Sequence, residues 1–161
     1  MKLDAGFLDS LMTKALQEAR QAASFGEVPV GAVLARGKDL IVSARNEMEL
    51  RNDATAHAEV LAIRRGSQYL GNWRLSDCVL CVSLEPCTMC MGAIRLARIP
   101  VIVYAARDSR MGAVGSLYDL SLDSRMGEGP RVISGVREAE AAEILTEFFR
   151  QRRDSRVEVL Q

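Results

Sequence analysis

The chain has 161 residues, 48% of them apolar, and its 21 basic and 21 acidic residues balance to a net charge of zero at pH 7. This length suits one domain with a hydrophobic core, so we expect a single domain over residues 1–161. The balanced charge argues against non-specific binding of nucleic acid by the whole surface, so a polyanionic partner must meet a local basic patch.

The sequence contains no segment typical of membrane insertion or export. It has no run of about 18 apolar residues, and its first ten residues, MKLDAGFLDS, lack the apolar core of a signal peptide. We therefore expect a cytoplasmic protein with no membrane partner. In that compartment the four cysteines are better explained as free thiols or metal ligands than as disulfides.

The predicted elements alternate between helices and strands, assigned from helical spacing or from short runs of apolar residues. They are helix 7–25, a hairpin of strands 28–36 and 40–45, helix 56–69, strand 78–85, helix 86–97, a strand from 101, strand 131–134 and helix 138–152. Asp53 or Thr55 is available as the N-cap of the second helix, and Pro86 suits the first position of the third. This order predicts an α/β fold.

Two short motifs provide candidate metal ligands. Residues 53–60 read DATAHAEV and include His57, the only histidine, and residues 83–90 read SLEPCTMC. Three positions apart on a helix, Cys87 and Cys90 face the same side, and a helix N-terminus lowers the pKa of a thiol. One imidazole and two thiolates form a three-ligand set for Zn²⁺, and three protein ligands plus water are typical of catalytic zinc, whereas structural sites close with four.

A second pair of cysteines has the same spacing. Cys78 and Cys81 lie in a predicted strand, where residues three apart face opposite sides, so we interpret them as buried apolar residues. Taken alone, Cys87 and Cys90 could instead be buried residues that pack their helix against the core, and His57 could be a core histidine with no metal. Only the combination of the two motifs favours a metal site.

A glutamate follows the predicted histidine ligand by two positions. Glu59 could simply complement the dipole of the helix that begins there. However, hydrolysis at a metal-bound water needs a group that takes the proton of the water and passes it to the leaving group, and a carboxylate beside the metal can do both. We predict that role for Glu59, whereas we interpret Glu85 as part of the turn before Pro86 and assign it no proton transfer.

The combination of H-A-E with P-C-x-x-C resembles the zinc-dependent cytidine-deaminase-like superfamily. More narrowly, the sequence is similar to the bacterial tRNA-specific adenosine deaminases. The similar segments are GEVPVGAVLA (26–35), TAHAE (55–59), SLEPCTMCMGAI (83–94), ARI (97–99), GAVGS (112–116) and FFRQRR (148–153).

The resemblance implies a three-layer α-β-α fold with a central mixed sheet of about five strands, one Zn²⁺ per subunit and a homodimer. It also implies hydrolytic conversion of adenosine to inosine at the wobble position of an arginine tRNA anticodon, with Glu59 shuttling the proton. By position, the residues similar to the substrate-binding residues of the family are Asn46, Val28, Pro29, Ala58 and Asp108. For Asn46, a turn residue at the end of a strand is the alternative.

The sequence departs from the family pattern at two places. Ala54 replaces a proline that often precedes T-A-H-A-E, which loosens the turn without removing a ligand. The Asn-His usual before the last strand is absent, because residues 127–132 read GEGPRV, and this puts RNA contact by that segment in doubt. Basic residues near the C-terminus could supply a phosphate-binding patch or could form a solvated cluster, namely Arg150, Arg152, Arg153 and Arg156.

Two other functions fit the same motifs. A deaminase of a free nucleobase or nucleoside, of the guanine or cytosine type, shares the zinc and the glutamate but needs no RNA. A non-catalytic, zinc-stabilised subunit that binds RNA or a partner has no use for Glu59 beside an open coordination position.

Overall fold

The computed structural model describes residues 3–158, which form five α-helices, five strands and one 3₁₀ turn. The helices are α1 (Ala5–Ser24), α2 (Met48–Arg51), α3 (Ala58–Leu70), α4 (Thr88–Leu96) and α5 (Glu138–Glu158). The strands are β1 (Gly31–Arg36), β2 (Asp39–Arg45), β3 (Cys78–Leu84), β4 (Val101–Ala106) and β5 (Arg131–Ser134). The 3₁₀ turn spans Ser124–Met126. No helix within 3–158 combines the length and the apolar character that crossing a bilayer requires.

One mixed sheet joins all five strands in the order β2-β1-β3-β4-β5. The hairpin β1–β2 is antiparallel, and β1 also pairs antiparallel with β3. The remaining pairs, β3–β4 and β4–β5, are parallel. Helix α4 forms the crossover connection from β3 to β4. Strand β3 is buried on both faces, which explains its almost uninterrupted apolar sequence.

Helices cover both faces of the sheet and produce two apolar cores. One core lies under α1 and α5 and includes Leu16, Val33 and Val103. The other lies under α3 and α4 and includes Leu80 and Ile102. The alternation of strand side chains between the two faces divides them between the cores. The predicted three-layer α-β-α arrangement with a mixed sheet of about five strands is confirmed.

The predicted starts of two helices are wrong. Helix α3 begins at Ala58 with His57 as its N-cap residue, because Asp53 instead accepts hydrogen bonds from the backbone and hydroxyl of Thr55. Helix α4 begins at Thr88 with Cys87 as its N-cap residue, so Pro86 precedes the helix. Both shifts place a predicted metal ligand at the N-cap of a helix.

Candidate active site

Two helix N-termini bring the predicted metal ligands together. His57 precedes α3, and Cys87 and Cys90 occupy the N-cap and the third position of α4. The His57 Nδ1 atom lies 3.7 Å from the Cys87 Sγ atom and 3.5 Å from the Cys90 Sγ atom. The three ligand atoms all lie within 4.8 Å of one another. Three side chains that are 30 and 33 residues apart in sequence therefore converge on one point.

The spacing of these atoms fits tetrahedral zinc. With usual Zn–S and Zn–N bond lengths, tetrahedral coordination separates ligand atoms by about 3.5–3.8 Å, which matches the two distances from the imidazole to the sulfur atoms. Two thiolates and one imidazole are also the soft donor set that zinc prefers over magnesium or calcium. The residues present therefore fit a zinc ion.

The electrostatics of the cluster favour a thiolate at Cys87 and a protonated thiol at Cys90. A hydrogen bond with Cys90 lowers the pKa of the Cys87 thiol to about 4, whereas the same hydrogen bond and burial raise the pKa of Cys90. Hydrogen bonding to Cys87 raises the pKa of His57. The three groups therefore compete for the same protons. A divalent cation bound between them would neutralise the charge of the thiolates.

Glu59 lies beside this cluster and is almost completely buried. It is the second residue of α3 and lines the same cavity as His57 and Cys87. Burial raises the pKa of its carboxyl group to about 7. Its carboxylate oxygens are not among the three clustered ligand atoms. The carboxyl group is therefore placed to exchange protons next to the candidate metal position.

A cavity of about 410 Å³ opens above the cluster. Of the five predicted substrate-binding residues, it is lined by Val28, Asn46, Ala58 and Asp108. Pro29 is buried but does not line the cavity, and Val30 lines it instead. Since Ala58 is the first residue of α3, its backbone N–H has no acceptor within the helix. The cavity therefore offers apolar walls and a few polar groups, as small-molecule sites do.

The sequence is similar to a known protein family and to named proteins of other organisms. The family model of MafB19-like deaminases matches residues 8–153. A tRNA-specific adenosine deaminase of Bacillus subtilis (strain 168) is 42% identical over 142 residues, which cover 88% of this chain and 88% of that protein. The chain belongs to the tRNA-specific adenosine deaminase family.

Solved structures place the fold in the same family. A structure from a study of A-to-I editing by tRNA deaminases at the wobble position of transfer RNA superimposes with a TM-score of 0.82. It is 44% identical, and the match covers 84% of this chain and 99% of that one. A guanine deaminase from Nitrosomonas europaea superimposes with a TM-score of 0.74 at 25% identity, covering 87% and 83% of the two chains. The adenosine deaminase family is thus the nearer of these two in sequence.

The remaining cysteines do not join the metal cluster. Cys78 packs in the core under α3 and α4, and Cys81 packs in the core under α1 and α5. Burial raises the pKa of both thiols, that of Cys78 to about 11. Their placement on opposite faces of β3 agrees with the interpretation of both as buried apolar residues.

The C-terminal arginines differ in their surroundings. Arg150 forms ion pairs with Glu147 and Asp154 on the same helix, at 2.8 Å and 3.4 Å. The Arg152 guanidinium lies over the ring of Phe148, 5.3 Å from its centroid. Arg153 is exposed, and the side chain of Arg156 lies outside the described residues. The pairing of Arg150 within its own helix supports the solvated interpretation for that residue.

Two buried carboxylates at the edge of the site have contacts that the sequence analysis did not predict: it did not single out Glu27, and it interpreted Glu85 only as part of the turn before Pro86. Glu27 accepts a hydrogen bond from the side chain of Asn46, 3.3 Å away. Glu85 lines the cavity and accepts hydrogen bonds from the loop that contains Asp108. Burial opposes ionisation of Glu85, but hydrogen bonds from that loop outweigh it and hold the pKa of the carboxyl group below its usual value. The only sequence signal for either residue is an acidic side chain directly beside apolar residues.

Proposed function

We propose that this protein hydrolyses adenosine to inosine at the wobble position of a tRNA anticodon, with one Zn²⁺ per subunit bound by His57, Cys87 and Cys90. The observation that carries the proposal is that the buried carboxyl group of Glu59 lines one cavity with His57 and Cys87, two members of the three-residue cluster that Cys90 completes. A structural zinc site needs neither a vacant fourth position nor a neighbouring carboxylate.

In the reaction, water replaces the exocyclic amino group at C6 of adenine, and ammonia leaves. A Zn²⁺ ion held by His57, Cys87 and Cys90 would act as a Lewis acid and would lower the pKa of a water molecule to near neutrality. Glu59 would take one proton of that water and give it to a ring nitrogen, then take the second proton from the new hydroxyl group at C6 and pass it to the amino group, which leaves as ammonia. Its burial supports this role, since an enclosed carboxyl group keeps its proton away from bulk solvent.

The cavity walls would hold the adenine base. Val28, Ala58 and Val30 provide apolar surface, Asn46 provides a hydrogen-bonding side chain, and Pro29 supports the wall from behind. A backbone N–H at the start of α3 provides a further donor to the base from Ala58. Asp108, at the rim, would face the neighbouring nucleotides.

The proposed macromolecular substrate is a tRNA anticodon stem-loop, with arginine tRNA as the specific candidate. A wobble base lies in a single-stranded loop, so rotating it into an enclosed cavity costs less than opening a base pair. We place this reaction in the cytoplasm, carried out by a homodimer. Identity above 40% to a tRNA-specific adenosine deaminase over most of both chains supports the RNA substrate.

Deamination of free guanine is the second candidate, because the guanine deaminase of Nitrosomonas europaea shares the fold. The test incubates the purified, zinc-loaded protein with an arginine tRNA anticodon stem-loop carrying wobble adenosine, and in parallel with free adenosine, cytidine and guanine. We expect inosine in the stem-loop and no ammonia from the free compounds. Turnover of guanine alone would establish the second candidate, and no turnover of any substrate would favour a non-catalytic zinc-binding subunit.

A further inference from the structure

The carboxylate of Glu85 accepts hydrogen bonds from four donors of one loop. It is 2% exposed and follows directly after β3. Its Oε1 atom accepts from the backbone N–H groups of Val114 and Ser116, at 2.9 Å and 3.0 Å. Its Oε2 atom accepts from the backbone N–H of Asp108 at 3.0 Å and from the hydroxyl of Ser116. We call residues 107–119, which contain all four donors, the cavity loop.

The cavity loop also packs directly on the start of α4. The backbone of Gly112 forms a β-bridge with Cys87, and the Ala113 N–H donates to the carbonyl of Pro86 at 2.9 Å. A Cβ atom at Gly112 would lie 2.5 Å from the Cδ atom of Glu85, so only glycine fits against the carboxylate. Glu85 therefore occupies the space between the loop and the segment that carries the candidate metal ligands.

The cavity loop supplies one wall of the substrate cavity. Asp108 and Met111 both line that cavity. The loop contains turns and isolated bridges but no helix or regular strand, so few of its backbone N–H groups have partners in a ladder. A single buried acceptor that serves Asp108, Val114 and Ser116 consequently fixes both ends of the segment that forms the wall.

We propose that Glu85 is a positioning residue that holds the cavity loop, and with it Asp108 and Met111, in the conformation that binds the RNA substrate. The inference rests on the proposed function for its substrate, but not for the contact between Glu85 and the loop. Glu85 acts through the loop and not on the reacting atoms, so its loss weakens substrate binding more than the chemical step.

We expect the substitution Glu85→Gln to affect the backbone amides of Asp108, Val114 and Ser116 unequally. A glutamine has one acceptor oxygen and one NH₂ group. With the NH₂ group at the Oε1 position, the Val114 and Ser116 amides would both lose their acceptor. With the NH₂ group at the Oε2 position, only the Asp108 amide loses its acceptor, because the Ser116 hydroxyl can accept instead. We therefore expect hydrogen exchange to rise about tenfold at the Asp108 amide and little at the other two.

The kinetic test compares Glu85→Gln with two further variants on the wobble-adenosine stem-loop. We expect KM to rise about tenfold in Glu85→Gln and about threefold in Ser116→Ala, with kcat changed less than twofold and one zinc retained. Gly112→Ala keeps the carboxylate but pushes the loop away from it, so it should also raise KM. Glu128→Gln, Ser10→Ala and Gly6→Ala are the matched exposed controls and should behave as wild type.

Each outcome decides the proposal. An unchanged KM in all three variants would overturn it, as would unchanged exchange at the Asp108 amide. Loss of zinc with a fall in kcat and an unchanged KM would also overturn it, because Glu85 would then support the metal ligands instead of the loop. A wild-type protein that does not deaminate the stem-loop would refute the proposed function, whereas the exchange comparison would still decide whether Glu85 holds the loop.

Discussion

The side-chain amide of Asn46 donates to the buried carboxylate of Glu27, with 3.3 Å between the nitrogen and the oxygen. Glu27 also accepts from the backbone N–H groups of Glu49 and Leu50, at 3.2 Å and 2.8 Å, and so caps α2. A carboxylate only accepts, so the amide nitrogen of Asn46 must face it. Within the described residues, the amide oxygen of Asn46 accepts no hydrogen bond. No buried side-chain oxygen there lacks a partner, so this oxygen is accessible, and Asn46 lines the cavity.

This pair predicts a pH-dependent defect for Asn46→Asp. Repulsion between two buried carboxylates at this distance raises the pKa of one of them in the folded state. A rise of one unit in that pKa corresponds to about 1.4 kcal/mol of free energy. We expect the free energy of unfolding to fall by about 2–3 kcal/mol at pH 8, and to recover as the pH falls through the raised pKa. Urea unfolding at pH 5 and pH 8 measures this. Asn46→Ala, which adds no charge, should show a pH-independent loss, and equal losses for both variants at pH 8 would contradict the expectation.

Replacement of Glu59 by glutamine separates the chemistry from the fold. Glutamine fills nearly the same volume but cannot carry a proton between water and the leaving group. We expect kcat on the wobble-adenosine stem-loop to fall by about 10²–10⁴-fold, with zinc content and Tm preserved. Glu49→Gln, on the exposed surface of α2, is the control. Full turnover by the Glu59 variant would contradict its assignment as the proton carrier.

The two C-x-x-C pairs predict opposite effects on metal content. Cys90→Ser removes one of the three proposed zinc ligands, whose ligand atoms converge in the structure, so we expect zinc stoichiometry to fall well below one per chain. Cys81→Ala empties a small space in the other core, which costs about 1 kcal/mol of stability but leaves zinc at one per chain. Metal analysis of the dialysed proteins makes the comparison. Zinc loss in the Cys81 variant and retention in the Cys90 variant would reverse the ligand assignment.

The sequence was sufficient to predict elements and residues whose signals are local. Strand β3 was identified from its apolar run, and His57, Cys87 and Cys90 from spacing within two short motifs. Val28 and Val30 line the cavity while Pro29 does not, because alternate residues of an extended segment face the same side. The resemblance named Pro29 as part of the wall, but only the backbone direction of that segment shows which residues face inward.

The missed residues act over long sequence separations. Glu85 is 31 residues from Ser116, and Glu27 is 19 residues from Asn46. Burying a carboxylate is tolerated only if its oxygens accept hydrogen bonds, but the sequence does not show which loop supplies the donors. The start of α3 was misplaced for a different, local reason, because the side chain of Asp53 accepts hydrogen bonds from Thr55 and does not cap the helix.

A buried carboxylate away from the active site, that of Glu47, predicts acid sensitivity. Glu47 pairs with Arg51 at 2.5 Å and with Arg65 at 3.2 Å, and its side chain is 7% exposed. Burial opposes ionisation, but the hydrogen bonds and charges of the two arginines outweigh it and lower the pKa of Glu47 below its ordinary value. A lowered pKa contributes stability above the unfolded value, and this stability is lost as the pH falls through the folded value.

We therefore expect Glu47→Gln to lower the free energy of unfolding by about 1–2 kcal/mol at pH 7. The difference from wild type should shrink as the pH falls through the lowered pKa of Glu47 in the folded protein, because the wild-type carboxylate then becomes protonated. Denaturant unfolding across pH 3–7 tests this, with Glu49→Gln as the exposed control. A difference that stayed constant down to pH 3 would show that packing, and not charge, accounts for the effect.

The turn before His57 predicts a stabilising substitution at Ala54. The Ala56 N–H donates to the Asp53 carbonyl at 3.1 Å, which makes Ala54 the second residue of a β-turn. Proline is favoured at that position, and it reduces the freedom of the unfolded chain. We expect Ala54→Pro to add about 0.4–1 kcal/mol of stability without changing zinc content.

The matched control is Thr55→Pro at the third position of the same turn. The Thr55 N–H donates to the Asp53 carboxylate at 2.8 Å, and proline would remove that donor at a position where it is also disfavoured. Thermal unfolding of the two variants should therefore shift Tm in opposite directions, upward for Ala54→Pro and downward for Thr55→Pro. A fall in Tm for both would show that the backbone before His57 is held in a conformation that excludes proline throughout, and that Ala54 is required there.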